Sequence, residues 1–535
     1  VEGARGNPLW VTPSKGLRGV RALTAVPLLD THERAEARSR IRGVKLDRDF
    51  QQLDRYYLAD GLVEVVIGVH QGLGYYIVKE PELTPDELKL YNSIVEELRY
   101  RARPDQQLLT DPLSYLEKAL REAIGNLEIA SKVHASKHKL FYYLKRDILG
   151  LGPLEPLMND PDIEDISVEG VGRPARVFHR RFSLYDWLHT NIVFEDEEEL
   201  NNYIIRLAHM GGKHINTAHP IADVMLPGRH RATLTFSREV TPQGPSLTIR
   251  KFREKPLTIC HLIKSGTISS LMATYWWLLL ENKAFFMIIG PMASGKTTLL
   301  NSLAMLLKPN WKVVSIEDVA ELNLAHPGWK PLVSRHTYLM GENLTEIRLF
   351  DLVKLSFRER ADFIIVGEVR GEEAYALFQA AASGHGCACT FHSPNFEAMV
   401  NRLTSPPLNV GPSYIDLISN VVVIKRITKT PRQAVRRVTE VDEVISYREY
   451  QKVFTWNPTE DSFEPNDPCE LVEKSVHLKR IAEATGISEE DVLNELLERK
   501  SFLESLVKNN ILDFEEVTNH LRRFYYRRSS GEKEL

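Results

Sequence analysis

The stretch "AFFMIIGPMASGKTTLLNSLAMLL" (284–307) constrains this chain more than any other. A short apolar run, Ala284–Ile289, leads into Gly290-x4-Gly295-Lys296-Thr297 and then into a helical apolar pattern. Strand, glycine-rich turn and helix, in that order, form the context in which a phosphate-binding loop works. Glycines let backbone N–H groups turn inward around phosphate oxygens, and the helix N-terminus adds positive potential at the same point. In this reading Gly290, Ala293, Ser294, Gly295, Lys296, Thr297 and Thr298 bind ATP. Lys296 reaches the β- and γ-phosphates, and the Thr297 hydroxyl ligates Mg²⁺. A glycine-rich turn that matched the pattern by chance would lack these flanks.

Such a site needs a carboxylate at the end of a neighbouring strand. "ADFIIVGEVRGEEA" (361–374) supplies an apolar run closing on Glu368, whose length suits contact with Mg²⁺ through water. "WKVVSIEDVAEL" (311–322) is a further strand, closing on Glu317, Asp318 and Glu321. Carboxylates so close together cannot all be buried and ionised without a cation or arginines nearby. Beside Mg·ATP that condition is met, and one of them can accept a proton from the attacking water. "SGHGCACTFHS" (383–393) brackets a fourth strand with His385 and His392. Lone histidines are more often packing groups, but a pair at the ends of one strand of the same sheet become candidates. Cys387 and Cys389 inside that strand read as small buried residues.

The pattern along the chain is α/β. Short apolar strands near 284–290, 312–316, 362–367, 386–391 and 420–425 alternate with helices, which predicts a mainly parallel sheet covered on both faces. This core is expected over 259–455, with a helical region at 456–535. Ahead of it we expect an irregular Arg-rich segment (1–60), an α/β subdomain (61–139), a second α/β domain (140–250) and a linker (251–258). The subdomain opens on a hairpin in 62–80 and a helix capped by Thr84 and Glu87, and a helical segment follows from Pro112 to Leu149. Strands of the second domain are expected near 174–184, 192–195, 231–236 and 246–252.

A net charge of −4 provides no global basic field and argues against nucleic acid as a partner. The four cysteines include no C-x2-C pair, which argues against a structural zinc. The apolar runs are too short to span a bilayer and the N-terminus lacks a secretory pattern, so a membrane link is expected only through a partner.

Taken in order, "GPMASGKT", "SIEDVAEL", "IIVGEVRGEEA" and "SGHGCACTFHS" resemble the Walker A, Asp box, atypical Walker B and His box of the type II/type IV secretion ATPase superfamily. "LGPLEPLMNDPDIEDISVEG", "LPGRHRATL" and "SLTIRKF" resemble its N-terminal domain and interdomain linker. The resemblance implies a RecA-like P-loop domain behind a PAS-like domain. It implies a Mg²⁺-dependent homo-hexameric ATPase that drives secretion or the assembly of a type IV pilus-like filament or archaellum. Lys296 and Thr297 would contact phosphate and Mg²⁺, Glu321 would polarise water, Glu368 would be the Walker B glutamate, and His392 would lie near the γ-phosphate. Arg250 is carried over as a nucleotide contact, and Arg229, Arg231, Arg335, Arg358 and Arg360 as candidate arginine fingers. A polytopic membrane platform protein is the implied partner, with the ATPase cytoplasmic and peripheral to the membrane.

Bacterial type II secretion members commonly carry a four-cysteine insert that this chain lacks. "VRGEEA" and "GPSLTIRKF" look closer to the archaeal branch. The rival reading, a RecA-like motor that translocates nucleic acid, predicts a basic, aromatic-lined channel and steep salt dependence. A GTPase would need an N/T-K-x-D segment, and none is found.

Overall fold

The structure is a computed structural model that describes residues 49–101, 111–126, 136–253, 255–335, 346–430 and 433–530. It divides into two compact units between Phe252 and Arg253.

The first unit is built on nine strands: β1 (Gln51–Leu58), β2 (Val63–His70), β3 (Leu73–Lys79), β4 (Ile163–Glu169), β5 (Pro174–His179), β6 (Trp187–Val193), β7 (Ile221–Met225), β8 (Arg231–Thr235) and β9 (Ser246–Arg250). They form one sheet in the order β1-β2-β3-β6-β5-β4-β9-β8-β7, antiparallel except where β3 meets β6. Alternation sends Val63, Val65 and Ile67 of β2 into a core that also takes Ile166 of β4 and Ile249 of β9. The strands of 51–79 and of 163–250 therefore share one apolar interior.

Helix α1 (Pro85–Arg101) starts as the sequence predicts. The Thr84 N–H donates to Glu87 Oε2 (2.8 Å), and the Glu87 N–H donates back to Thr84 Oγ1 (3.2 Å). The helical run expected from Pro112 appears as α2 (Pro112–Asn126) and α3 (Lys137–Leu144), followed by one π turn at Lys145–Leu149, while 127–135 lie outside the described residues. Two expectations for this unit need correction. Gln51–Leu58 is a strand, although it falls in the stretch read as irregular; the rest of that stretch up to residue 48 lies outside the described residues. Residues 180–184, read as strand, belong to the 3-10 turn Arg180–Tyr185.

The second unit has a sheet ordered β12-β11-β13-β14-β10-β15-β16-β17-β18. Its strands are β10 (Phe285–Ile289), β11 (Val313–Glu317), β12 (Trp329–Val333), β13 (Phe363–Val366), β14 (Gly386–Phe391), β15 (Asn420–Thr430), β16 (Gln433–Ser446), β17 (Glu449–Asn457) and β18 (Ser462–Glu464). From β12 to β15 every pairing is parallel, and from β15 to β18 every pairing is antiparallel.

Period-two alternation divides the fully buried β10 between two cores. Phe286 and Ile288 pack with α4 (Ser270–Glu281) and α5 (Lys296–Ala304). Phe285, Met287 and Ile289 pack with α6 (Leu349–Phe357), α7 (Glu373–Ala382) and α8 (Phe396–Thr404). Helices thus cover both faces, which is why the strands read as continuous apolar runs.

The tail is helical, but it begins later than expected: β17 and β18 carry the sheet to Glu464, and the next helix starts at Pro468. Helices α9 (Glu489–Lys508) and α10 (Phe514–Ser530) contribute Leu496, Leu503, Val517 and Leu521 to the α4 side. The buried Glu443 of β16 fastens this tail. Its carboxylate accepts from the Tyr275 hydroxyl (2.6 Å), the Ser475 hydroxyl and the Val476 N–H (2.8 Å).

Candidate functional site

Because β10, β11, β13 and β14 run parallel, the residues that follow them gather at one edge of the sheet. The loop after β10 is held tightly. A Cβ at Gly290 would fall 2.2 Å from the Ile424 carbonyl oxygen, and Gly295 has φ +98°, which only glycine adopts without strain. The Ser294 hydroxyl is buried with no hydrogen-bond partner. A loop with a glycine close approach and a buried hydroxyl lacking a hydrogen-bond partner fits a nucleotide's phosphates. Gly295 ends the loop, and Lys296 opens α5 with Thr297 and Thr298 half-buried in its first turn.

Lys296 is 7 % exposed. Its ammonium donates to the carbonyls of Gly290 (3.0 Å) and Pro291 (2.9 Å) and lies 3.3 Å from His392 Nδ1. His392 Nε2 lies 3.0 Å from Glu368 Oε1. Since an ammonium has only donors, Nδ1 is the acceptor and the proton resides on Nε2, facing the carboxylate. Burial lowers the Lys296 pKa, while Glu368 and Glu321 pull it upward. Burial, and then the Lys296 charge, hold the His392 imidazole below its usual range, with Glu368 opposing. The imidazole is neutral and bridges a cation to an anion.

The other oxygen of Glu368 accepts from Arg370 Nη2 at 2.5 Å. That bond raises the Arg370 pKa, and Asp318 and Glu321 add to the effect. Arg370 thus stands amid the acids that follow β11 and β13. Its loop is fixed by Glu373, whose Oε1 accepts from the N–H groups of Arg370 (2.5 Å) and Gly371 (2.7 Å). Glu317, the last residue of β11, is 2 % exposed, and its Oε1 accepts from the N–H groups of Glu321 (3.0 Å) and Leu322 (2.9 Å). Glu317 thereby shapes the loop that carries Glu321. It has room because its neighbour across the strand ends is Gly367, where an added Cβ would meet Glu317 Cγ at 3.0 Å.

Lys296, Glu321, Glu368 and His392 are therefore brought together. Arg335 follows β12 at the same edge, its backbone bridged to Ile347. Arg358 and Arg360 are not brought there. Both precede β13, so they lie exposed at the opposite, amino edge. Arg229, Arg231 and Arg250 belong to the first unit. Arg231 and Arg250 face each other across β8 and β9, paired to Asp223 (3.4 Å) and Asp165 (3.3 Å), and the Arg229 guanidinium lies 4.1 Å over the Phe252 ring. His385 is a packing group: Nδ1 lies 3.1 Å from the Ala380 carbonyl at the end of α7. Cys387 and Cys389 are fully buried, and burial pushes both thiols up.

Sequence reasoning missed Arg370, Glu373 and Arg402 as site residues. Arg402 donates to the His392 carbonyl (2.8 Å) and stacks on Phe391, steadying the histidine. The signal available for Arg370 and Glu373 is their spacing, two and five residues after the strand-ending acid.

The sequence model of the family described as "Type II/IV secretion system protein" matches residues 149–459. An uncharacterised protein of Methanocaldococcus jannaschii, MJ0900, is 34 % identical over 522 residues, covering 91 % of this chain and 92 % of that protein. A putative conjugal transfer protein of Mycobacterium tuberculosis, Rv3659c, is 31 % identical over 47 % of this chain and 71 % of its own length. Among solved structures, the Legionella pneumophila ATPase DotB is 17 % identical, covering 66 % of this chain and 85 % of that one at a TM-score of 0.41.

Proposed function

The chain belongs to the type II/IV secretion system protein family, and from that premise we propose that it is a Mg²⁺-dependent ATPase working as a hexameric ring. The ring powers secretion or the assembly of a type IV pilus-like filament or archaellum, from the cytoplasmic face of a membrane and through a polytopic platform protein. The observation that carries this reading is the Glu368–His392–Lys296 chain beside the glycine-rich loop.

In this reading the loop amides and Lys296 would hold the phosphates of ATP, and Thr297 and Glu368 would hold Mg²⁺. When bound, Mg²⁺ neutralises charge developing on the transferred phosphoryl group. Glu321 accepts the proton of the attacking water. His392 keeps Glu368 and Lys296 in register, and Arg370 orients Glu368. Charge on the transition state is also met by arginines, the expected device in phosphoryl transfer. Arg229, Arg231 and Arg250 are the candidates from the first unit, and Arg335 from the second. Arg358 and Arg360, at the far edge of their own sheet, would serve a neighbouring copy.

Glu321→Gln tests the assignment of the base. It should bind Mg·ATP and lose turnover, and hydrolysis at the wild-type rate would overturn the assignment. Light scattering with nucleotide tests the ring, which a purely monomeric mass refutes. Strong stimulation by single-stranded DNA would favour nucleic-acid translocation instead.

A further inference from the structure

Beyond the γ-phosphate machinery, we propose that Arg436, with Arg426 directly across from it, forms a cationic wall on the α-phosphate and ribose side of the nucleotide site. This inference rests on the reading that the 290–297 loop binds a nucleotide.

β10 lies between β14 and β15. Lys296, His392 and Glu368 occupy the β14 side. On the other side, Ile289 of β10 pairs with Val423 of β15, so the β15 residues from Ile424 onward pass beyond the end of β10 and run beside the loop. Ile424 already touches it, through its carbonyl at Gly290 and its Cδ1 3.7 Å from the Cβ position of Gly295. Arg436 Cδ and Nε approach that same position at 3.1 and 3.6 Å. Arg426 and Arg436 are paired across β15 and β16, two residues along from the Ile424–Val438 pair. Residues two apart on a strand share a face. Ile424 and Val438 belong to the core under α5, so both arginines stand on the face that leads to the first turn of that helix.

Arg436 is exposed where the loop ends and the helix begins. In a phosphate-binding loop the backbone N–H groups cradle the α- and β-phosphates, while the lysine reaches the β- and γ-phosphates. The ligand is thus the part shared by a nucleoside diphosphate and triphosphate.

The test titrates the full chain with ADP and with ATP, using a fluorescent analogue or calorimetry. Arg436→Gln keeps the aliphatic stem over Gly295 and removes the charge. It should weaken both nucleotides about tenfold. Arg436→Lys should fall between, since an ammonium does not replace the guanidinium fork. Wild-type affinity for both nucleotides in the glutamine variant overturns the inference, as does weakened ATP binding with ADP binding intact. If the glutamine variant does not fold, wild-type affinity in the lysine variant overturns it. A wild-type chain that binds neither nucleotide brings down the underlying reading, whereas one that binds both and is matched by the variants defeats this inference alone.

Discussion

The two edges of the second unit's parallel sheet use similar residues in different ways. At the amino edge, Lys312 and Lys330 both reach Glu359, and Lys283 reaches Asp362 at 3.3 Å, all three lysines being partly exposed. Each of these partly exposed cations is answered by a carboxylate. At the carboxyl edge, the buried Lys296 donates to two carbonyls and faces an imidazole, and burial depresses its pKa. Exposed pairs of the first kind contribute about 0–1 kcal/mol each. Groups of the second kind are desolvated and stay poised for a charged ligand. Charge density alone does not separate the edges, but the partners of the lysines do.

Removing the poised cation should have the largest effect. Lys296→Ala is expected to lower ATP turnover by about 10²–10³-fold or more, measured by phosphate release, with little change in melting temperature. His392→Ala should follow, at about ten- to a hundredfold. The pH profile sharpens this prediction. The imidazole accepts from Lys296 only when neutral, and its pKa lies below the ordinary ~6.5. The arrangement is intact at neutral pH and is lost as pH falls below that range. Unfolded chain takes up the proton first, so the histidine's effect on stability also turns unfavourable as pH drops through about 6.5. An acid limb in wild-type turnover that does not move in His392→Ala would contradict this role.

Asp442 should show a smaller effect, on stability alone. It is fully buried in β16, and burial, then Glu440, push its pKa up to about 9. A carboxyl raised in this way is neutral when folded and ionised when unfolded. Stability is therefore lost as pH rises from about 4 toward that value. Asp442→Asn should raise the melting temperature at pH 8 more than at pH 5. At the amino edge, Glu359→Gln should leave turnover unchanged and shift stability by only about 0.5 kcal/mol, checked by denaturant titration. A large loss of turnover there would erase the contrast between the edges.

The glycine-rich loop was legible because strand, glycines, lysine and helix each constrain the next. The buried strands of the second sheet were legible because both of their faces are covered, leaving unbroken apolar runs such as Phe363–Val366. β1 was hidden because an edge strand reading QQLDRYYL exposes most of its side chains and has no apolar period. β16 was hidden by its own interior, where Asp442 and Glu443 are both fully buried. The convergence of the candidate acids and histidine was legible, because their positions follow from strand ends. The arginines were not, because a side chain's reach depends on which edge its strand presents. Arg358 and Arg360 lie within ten residues of Glu368 in sequence, yet β13 runs between them and that acid.

Gly367 has a consequence that reaches past the end of β13. The water-polarising candidate Glu321 hangs from Glu317, and Glu317 occupies the space that a side chain at 367 would take. A single added methyl on the segment bearing Glu368 would therefore be transmitted to the acid on the adjacent loop. The separation of the two carboxylates is gauged by a hydrogen atom, and drift at this position would detune both together.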